Sequence, residues 1–208
     1  MKITKFLHSC LLIEEGDLKV LLDPGSFSFE ESALDDLPKI DYLLITHEHA
    51  DHMFIPGIKK ILAEYPGLKI ITNPSAEAIL KQEQIEVSVE LPDFVKIYEV
   101  PHEKIPFGVV PANFQFDLFG KLTDPGDSHS FSQTLEILAL PIQAPWGSTT
   151  AAIELALKLK PKVILPIHDY QWRDSSREGM YQRLVSFFAE NDIKFIPLET
   201  GIGVEVEI

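Results

Sequence analysis

The sequence predicts an α/β (α+β) protein, two β-sheets packed as a sandwich with helices on both outer faces. Short apolar runs bounded by Gly, Pro and Asp recur along the whole chain and read as strands. Segments with helical spacing lie between them. The first half is strand-rich and then mixed, and the second half repeats that rhythm, so two sheets that each need a helical cover are the natural packing. No repeat, low-complexity tract or linker interrupts residues 1–208, which read as a single domain.

Residues 3–7, 10–13 and 18–22 are three short strands, with Gly16-Asp17 as a hairpin signal between the last two. Asp23-Pro24-Gly25 stops the third. Residues 26–40 are loop with room for a short helix. Residues 41–46 form a strand, 55–64 a helix ended by Pro66-Gly67, and 68–72 a strand. Asn73 caps a helix that starts at Pro74 and runs to Gln84. Residues 94–100 are a strand leading to Pro101-His102, and proline-rich 103–111 is loop. Residues 113–119 alternate and turn at Gly120 into 121–123. A buried strand at 135–140 precedes a helix from Ser148 to Lys160 and a strand at 163–167. Ser175-Ser176-Arg177-Glu178 has the form of a capping box opening a helix to Asn191. Strands at 193–197 and 204–208 close the chain.

Hydrophobic content of 45% and charged content of 24% are those of a soluble globular domain. The net charge of −14 argues against a nucleic-acid-binding surface. An anionic substrate would have to be drawn in by local positive charge such as metal ions. The single cysteine, Cys10, excludes an intrachain disulfide, and with no apolar run of signal-peptide or membrane-span length the expectation is a cytoplasmic protein without a membrane partner. Oligomeric state is not legible.

Thr46-His47-Glu48-His49-Ala50-Asp51-His52 follows the apolar run Tyr42-Leu43-Leu44-Ile45. Three of the seven histidines and a carboxylate crowd into one strand-to-loop junction, and imidazole and carboxylate are the usual ligands of a zinc-like dication. His102, Asp127 and His168 also each follow an expected strand. Five His and two Asp are enough for two cations: His47, His49 and His102 for one, Asp51, His52 and His168 for the other, Asp127 shared.

His47-x-His49-x-Asp51-His52 resembles the signature of the metallo-β-lactamase-fold superfamily of metal hydrolases. Asp23, His102, Gly126-Asp127 and Pro166-Ile167-His168 resemble its other motifs in order, and Leu7-His8-Ser9 resembles its simple single-domain bacterial branch, which includes proteins similar to ascorbate-phosphate lactonase. The resemblance implies an αββα sandwich of two mixed sheets with a dinuclear site at one sheet edge. Two divalent ions, zinc by default with manganese or iron as alternatives, would activate water on a small ester-like molecule, a lactone or phosphorylated sugar lactone. Asp51 would orient the nucleophile and relay a proton. Phosphodiester or cyclic-nucleotide hydrolysis, and a non-catalytic metal-binding module, are the alternatives. His49 stands where oxygen-reducing di-iron relatives usually carry a carboxylate, which favours hydrolysis. The insert of nucleic-acid-processing relatives is missing.

Six further residues are candidates for supporting ligands or facing substrate. Asp23 would hold a ligand histidine by its ring N–H, or be a turn residue. His8 would line the pocket or be a satisfied core histidine. His129 would touch substrate or solvent. Trp146 would wall the substrate or be buried beside the ordinary cap Ser148. Arg173, with Arg177 and Arg183, would receive an anion or decorate a helix. Tyr170, with Trp172, would stack on substrate or pack at a helix start. Leu184, Phe187 and Phe188 read as a core stripe.

Overall fold

The computed structural model describes residues 1–30, 34–88 and 90–207. Strands β1 (Lys2–Lys5), β2 (Leu11–Glu15), β3 (Leu18–Leu22), β4 (Tyr42–Ile45) and β5 (Lys69–Thr72) form one sheet in that order, with β12 (Gly203–Glu205) beside β1. The pairing is antiparallel from β12 to β3 and parallel from β3 to β5. The other sheet runs β6 (Val95–Glu99), β7 (Phe114–Leu118), β8 (Leu122–Asp124), β9 (Ile137–Pro141), β10 (Val163–Ile167), β11 (Lys194–Phe195). Here β6 to β8 are antiparallel and β8 to β11 parallel. Both sheets are mixed, as expected.

The two-residue period of the strands sorts their side chains between the faces. Leu11, Ile13, Val20, Leu22 and Leu44 of the first sheet meet Phe116, Leu118, Ile137, Val163 and Leu165 of the second, and this is the inner layer. The alternate residues Leu12, Leu21, Leu43 and Ile45 point outward onto Ile58 and Ile61 of α2 (Ile55–Glu64) and Ala76 and Leu80 of α3 (Pro74–Gln82). Leu138, Leu140 and Ile164 face Ala152, Leu155 and Ala156 of α4 (Thr149–Leu159) and Tyr181, Leu184 and Phe188 of α5 (Asp174–Ala189). Strands covered on both faces are apolar on both, hence their unbroken hydrophobic runs. Among the described residues, no helix is long and apolar enough to cross a membrane.

Several boundaries move for local reasons. The first strand ends at Lys5 rather than Leu7, because Leu7 and His8 take left-handed backbone angles (φ 67° and 49°) in a tight connection to β2. The loop 26–40 holds a short helix, α1 (Ser26–Glu30), and residues 31–33 lie outside the described ones. Asn73 caps α3 as expected, accepting from the Ser75 and Ala76 amides. The capping box at Ser175 is not used: α5 starts two residues earlier, with Arg173 at the N-cap and Asp174 as its first residue, whose carboxylate pairs instead with Arg177. Phe187 is 37% exposed, because it lies about 60° round the helix from Leu184, off the face that buries Tyr181, Leu184 and Phe188. The strand at 193–197 shrinks to β11, and Ile208 lies outside the described residues.

One direction of the chain matters most for the site. In the first sheet β1, β3 and β4 run the same way, and in the second β6, β8 and β10 do. The residues that follow these six strands therefore gather at one end of each sheet. A buried ion pair ties the sheets together near that end. Lys5, 2% exposed on β1, donates to Asp169 Oδ1 (2.5 Å) and to the Pro166 carbonyl (2.9 Å), and Asp169 also accepts the Tyr181 hydroxyl of α5.

Replacing Lys5 with Met removes the ammonium bonded to the buried Asp169 carboxylate. The expected loss is about 3–5 kcal/mol of unfolding free energy, seen as a lower urea midpoint at unchanged slope. A loss under about 1 kcal/mol, the scale of a surface pair, would show that the pair does not hold the sheets together.

Candidate metal centre

His47 to His52 follow β4, His102 follows β6, Asp127 follows β8 and His168 follows β10. All converge between the two sheet ends. Two groups of side chains have one ligand atom each within 4.8 Å of one another: His47, His49, His102 and Asp127, and His8, Asp51, His52 and His168. Asp127 joins them. Its Oδ1 lies 3.1 Å from His52 Nε2 and 3.3 Å from His168 Nε2. Its Oδ2 lies 3.5 Å from His102 Nε2 and 3.8 Å from His47 Nε2.

The local folding around this carboxylate is tight. Gly126 has φ +56°, and a Cβ there would sit 2.2 Å from Asn113 Oδ1 and 2.8 Å from Thr46 Cβ. Asn113 holds the turn by accepting the Asp127 amide and donating to the Pro125 carbonyl. A Cβ on Gly25 would overlap the Asp51 carbonyl at 1.7 Å, so the Asp23-Pro24-Gly25 turn can lie against the histidine loop only without a side chain.

Hydrogen bonds on the outer side of each ring fix which nitrogen faces inward. His52 Nδ1 donates to Asp23 Oδ2 (2.7 Å), His102 Nδ1 to the Glu103 carbonyl (2.6 Å) and His168 Nδ1 to the Gln143 carbonyl (2.8 Å). Thr46 gives its hydroxyl proton to Asp23 Oδ2 (2.7 Å) and so accepts from His47 Nδ1 (3.0 Å). Four imidazoles are thereby left with Nε2 lone pairs directed at the centre. His49 turns the other way, its Nδ1 3.1 Å from His47 Nε2. Asp23 also accepts the Thr46 amide (2.8 Å) and is itself at φ 43°. It therefore grips the histidine loop by three contacts.

The inward atoms of His52, His102 and His168 and Oδ1 of Asp127 are buried without a hydrogen-bond partner, although they lie close together. Donors that converge but do not hydrogen-bond one another are arranged as ligands about a shared ion. The electrostatics agree. Burial drives His47 well below the usual imidazole range, with the His52 charge adding to the effect. Burial likewise lowers His49, and brings His8 down to about 4. Burial would also lower His52 and His168, but Asp127 outweighs it and raises both, with Asp23 helping at His52. Burial alone would raise Asp51 and Asp127. The His8 hydrogen bond and the His52 charge hold Asp51 down, and the His168 and His52 charges hold Asp127 down. The pocket therefore combines ionised carboxylates with imidazoles, and a dication can replace the protons that Asp127 would otherwise pull onto His52 and His168. The donor set fits divalent metal ions.

The other candidates divide. Trp146 donates its indole N–H to Asp127 Oδ2 (2.9 Å), and its ring lies 5.4 Å from His168 and 6.2 Å from His102. Tyr170 stacks on Phe27 (4.2 Å), whose ring meets His8 edge-on. His129 packs on Trp146 and is tied to the Pro141 carbonyl, outside both groups. Arg173 is exposed at the start of α5, and Arg177 is paired with Asp174 and lines a separate cavity of about 860 Å³ with Lys5 and Tyr181. The three arginines do not converge on the site. The reading of the sequence missed Thr46 as the hydroxyl between Asp23 and His47, the Glu103 and Gln143 carbonyls, and Phe27. A backbone carbonyl leaves no trace in residue type, and Phe27 looks like any loop aromatic.

Residues 2–168 match the family model of the Beta-lactamase superfamily domain. Among relatives, Protein Rv0786c of Mycobacterium tuberculosis is 28% identical, covering 97% of this chain and 99% of its own. A UPF0173 metal-dependent hydrolase of Pyrobaculum islandicum is 28% identical over 81% of this chain and 84% of its own. Among solved structures, a Parabacteroides distasonis protein superposes with a TM-score of 0.71 at 23% identity, over 95% of this chain and 93% of its own. Igni18, a metallo hydrolase from Ignicoccus hospitalis, gives 0.66 at 19% identity over 99% of each chain. These structures share the fold. The family match opens on β1 and ends on His168, so it spans every residue of both groups: the chain belongs to the beta-lactamase superfamily.

Proposed function

We propose that the chain is a single-domain, cytoplasmic, dinuclear metal-dependent hydrolase of small ester-like molecules, with a lactone or phosphorylated sugar lactone as the leading substrate class. The observation that carries this reading is the set of buried, unpartnered inward atoms on His52, His102, His168 and Asp127, with the two Asp127 oxygens divided between the two groups. The relatives named as metal-dependent hydrolases support it. His47, His49 and His102 would hold one ion, Asp51, His52 and His168 the other, and Asp127 both. When bound, such a pair supplies the Lewis acidity that makes water a nucleophile near neutral pH and polarises a substrate carbonyl. Zinc suits the imidazole-rich set, and manganese or iron is compatible with it.

The chain's own groups divide the remaining work. Asp51 is 28% exposed at its side chain and Asp127 only 3%. The open carboxylate can exchange a proton with solvent, so Asp51 orients water and relays its proton, while Asp127 is the fixed connector. Trp146 and the Phe27–Tyr170 pair flank the two groups and offer flat apolar faces to a lactone ring.

Metal analysis of the purified protein should give two divalent ions per chain, and exhaustive chelation should abolish hydrolysis, with recovery on adding zinc. The metal-loaded protein should turn over lactones in preference to thioesters and bis-p-nitrophenyl phosphate. Faster phosphodiester cleavage would replace the substrate class, and full loading without turnover of any of them would replace the enzyme by a binding module. Asp51→Asn should keep measurable metal and lose about 10²–10⁴-fold in kcat, the range of a general acid–base group. Unchanged kcat with both ions in place would remove Asp51 from the chemistry.

A further inference from the structure

His8 sits in the second group yet breaks its pattern. In His52, His102 and His168 the Nδ1 atom is engaged outward and the Nε2 atom faces the centre without a partner. In His8 the order is reversed. Nε2 is engaged, 3.2 Å from Asp51 Oδ2, and Nδ1 is the buried atom with no partner. A ligand histidine needs its free lone pair aimed at the ion and its other N–H held elsewhere. His8 has neither.

Asp51 is a carboxylate and can only accept. The contact therefore assigns the ring proton to Nε2 of His8 and leaves a bare lone pair on Nδ1, which is the cheaper atom to bury unpartnered. The oxygen it reaches is the one aimed at the group: Asp51 Oδ2 lies 3.7 Å from His168 Nε2 and 4.0 Å from His52 Nε2. Effort is spent to place this donor. Leu7 and His8 both have left-handed backbone angles (φ 67° and 49°), uncommon for residues with a side chain and concentrated at functional sites. The His8 carbonyl accepts the His168 amide (3.2 Å), and the ring lies 3.9 Å from the His168 ring and 5.1 Å from Phe27. His8 is 1% exposed, so its ring has no second position in solvent.

We propose that His8 is a positioning residue: its Nε2–H holds Asp51 Oδ2 in the orientation that a cation bound by Asp51, His52 and His168 requires, and His8 is not itself a ligand. The inference rests on the two-cation reading above. It predicts that the two ions respond differently to changes at His8, because only one of them uses Asp51.

The test is titration of the metal-free protein with cobalt(II), followed by visible absorption. Wild type should take up two equivalents. H8A should bind the first as wild type does and the second about 10–100-fold more weakly, the usual effect of removing a group that orients a ligand. H8Q, whose carboxamide N–H can donate to the same oxygen, should restore the second affinity to within a few-fold of wild type. At saturation the spectra of all three should superimpose, because no ligand has changed. A merely structural role would weaken both equivalents together and would not be rescued by Gln. Should H8A fail to fold, His8→Phe fills the same volume without the donor and carries the comparison. An unchanged second affinity in H8A, or an H8Q as weak as H8A, would overturn the inference while leaving the two-cation reading intact. An altered saturated spectrum would make His8 a ligand and overturn it likewise. A single equivalent in wild type would overturn the two-cation reading and the inference with it.

Discussion

The structure turns on the Asp127 carboxylate, 3% exposed at its side chain and shared between two sets of imidazoles. A buried carboxylate is tolerated only with strong partners. Here the partners come from both sheets: His47 and His52 follow β4 of one, and His102 and His168 follow β6 and β10 of the other. Each Asp127 oxygen faces a different pair, Oδ1 toward His52 and His168 and Oδ2 toward His102 and His47. The sandwich is what makes this possible. Parallel-running strands in each sheet bring their ends to one edge, and packing the sheets face to face sets the two edges against each other.

Around that carboxylate the backbone is held in conformations that side chains seldom choose. Leu7, His8, Asp23 and His168 all have φ between 43° and 67°. Each precedes or carries a group that must point inward, and each is over-determined by packing: Asp23 by Thr46 and His52, His168 by the His8 and Gln143 carbonyls. Strain of this kind persists only where the surroundings impose it. Gly25 and Gly126 do the complementary service, allowing the two loops that carry Asp51 and Asp127 to approach closer than any side chain would permit.

Much of this was legible in the residues. The short apolar runs and the rhythm repeated in the two halves pointed to both sheets, the Asn73-Pro74 pair marked the start of α3, and the spacing of His47, His49, Asp51 and His52 drew attention to the edge where the donors meet. What misled was local chemistry with a competing solution. Ser175 to Glu178 has the form of a cap, but the helix begins two residues earlier, at Asp174, which takes Arg177. The three arginines crowd in sequence, yet helical rotation and the Asp174 pair separate them from the site. The role of Trp146 was ambiguous because an indole serves equally as a wall or a donor, and only geometry shows its N–H on Asp127. His8 was harder still: residue type cannot say which ring nitrogen is engaged, and the orientation comes from two left-handed residues that leave no compositional mark.

The charge of the protein completes the physical picture. Among the described residues, the ion-pair partners of Asp51 and Asp127 are histidines alone; no lysine or arginine reaches either. The chain as a whole carries a net charge of −14. A net negative charge favours the approach of cations over anions at long range. A cation held by these residues would reverse the sign at the pocket floor over a short range, while screening confines the protein's own field to about 8–10 Å at physiological salt.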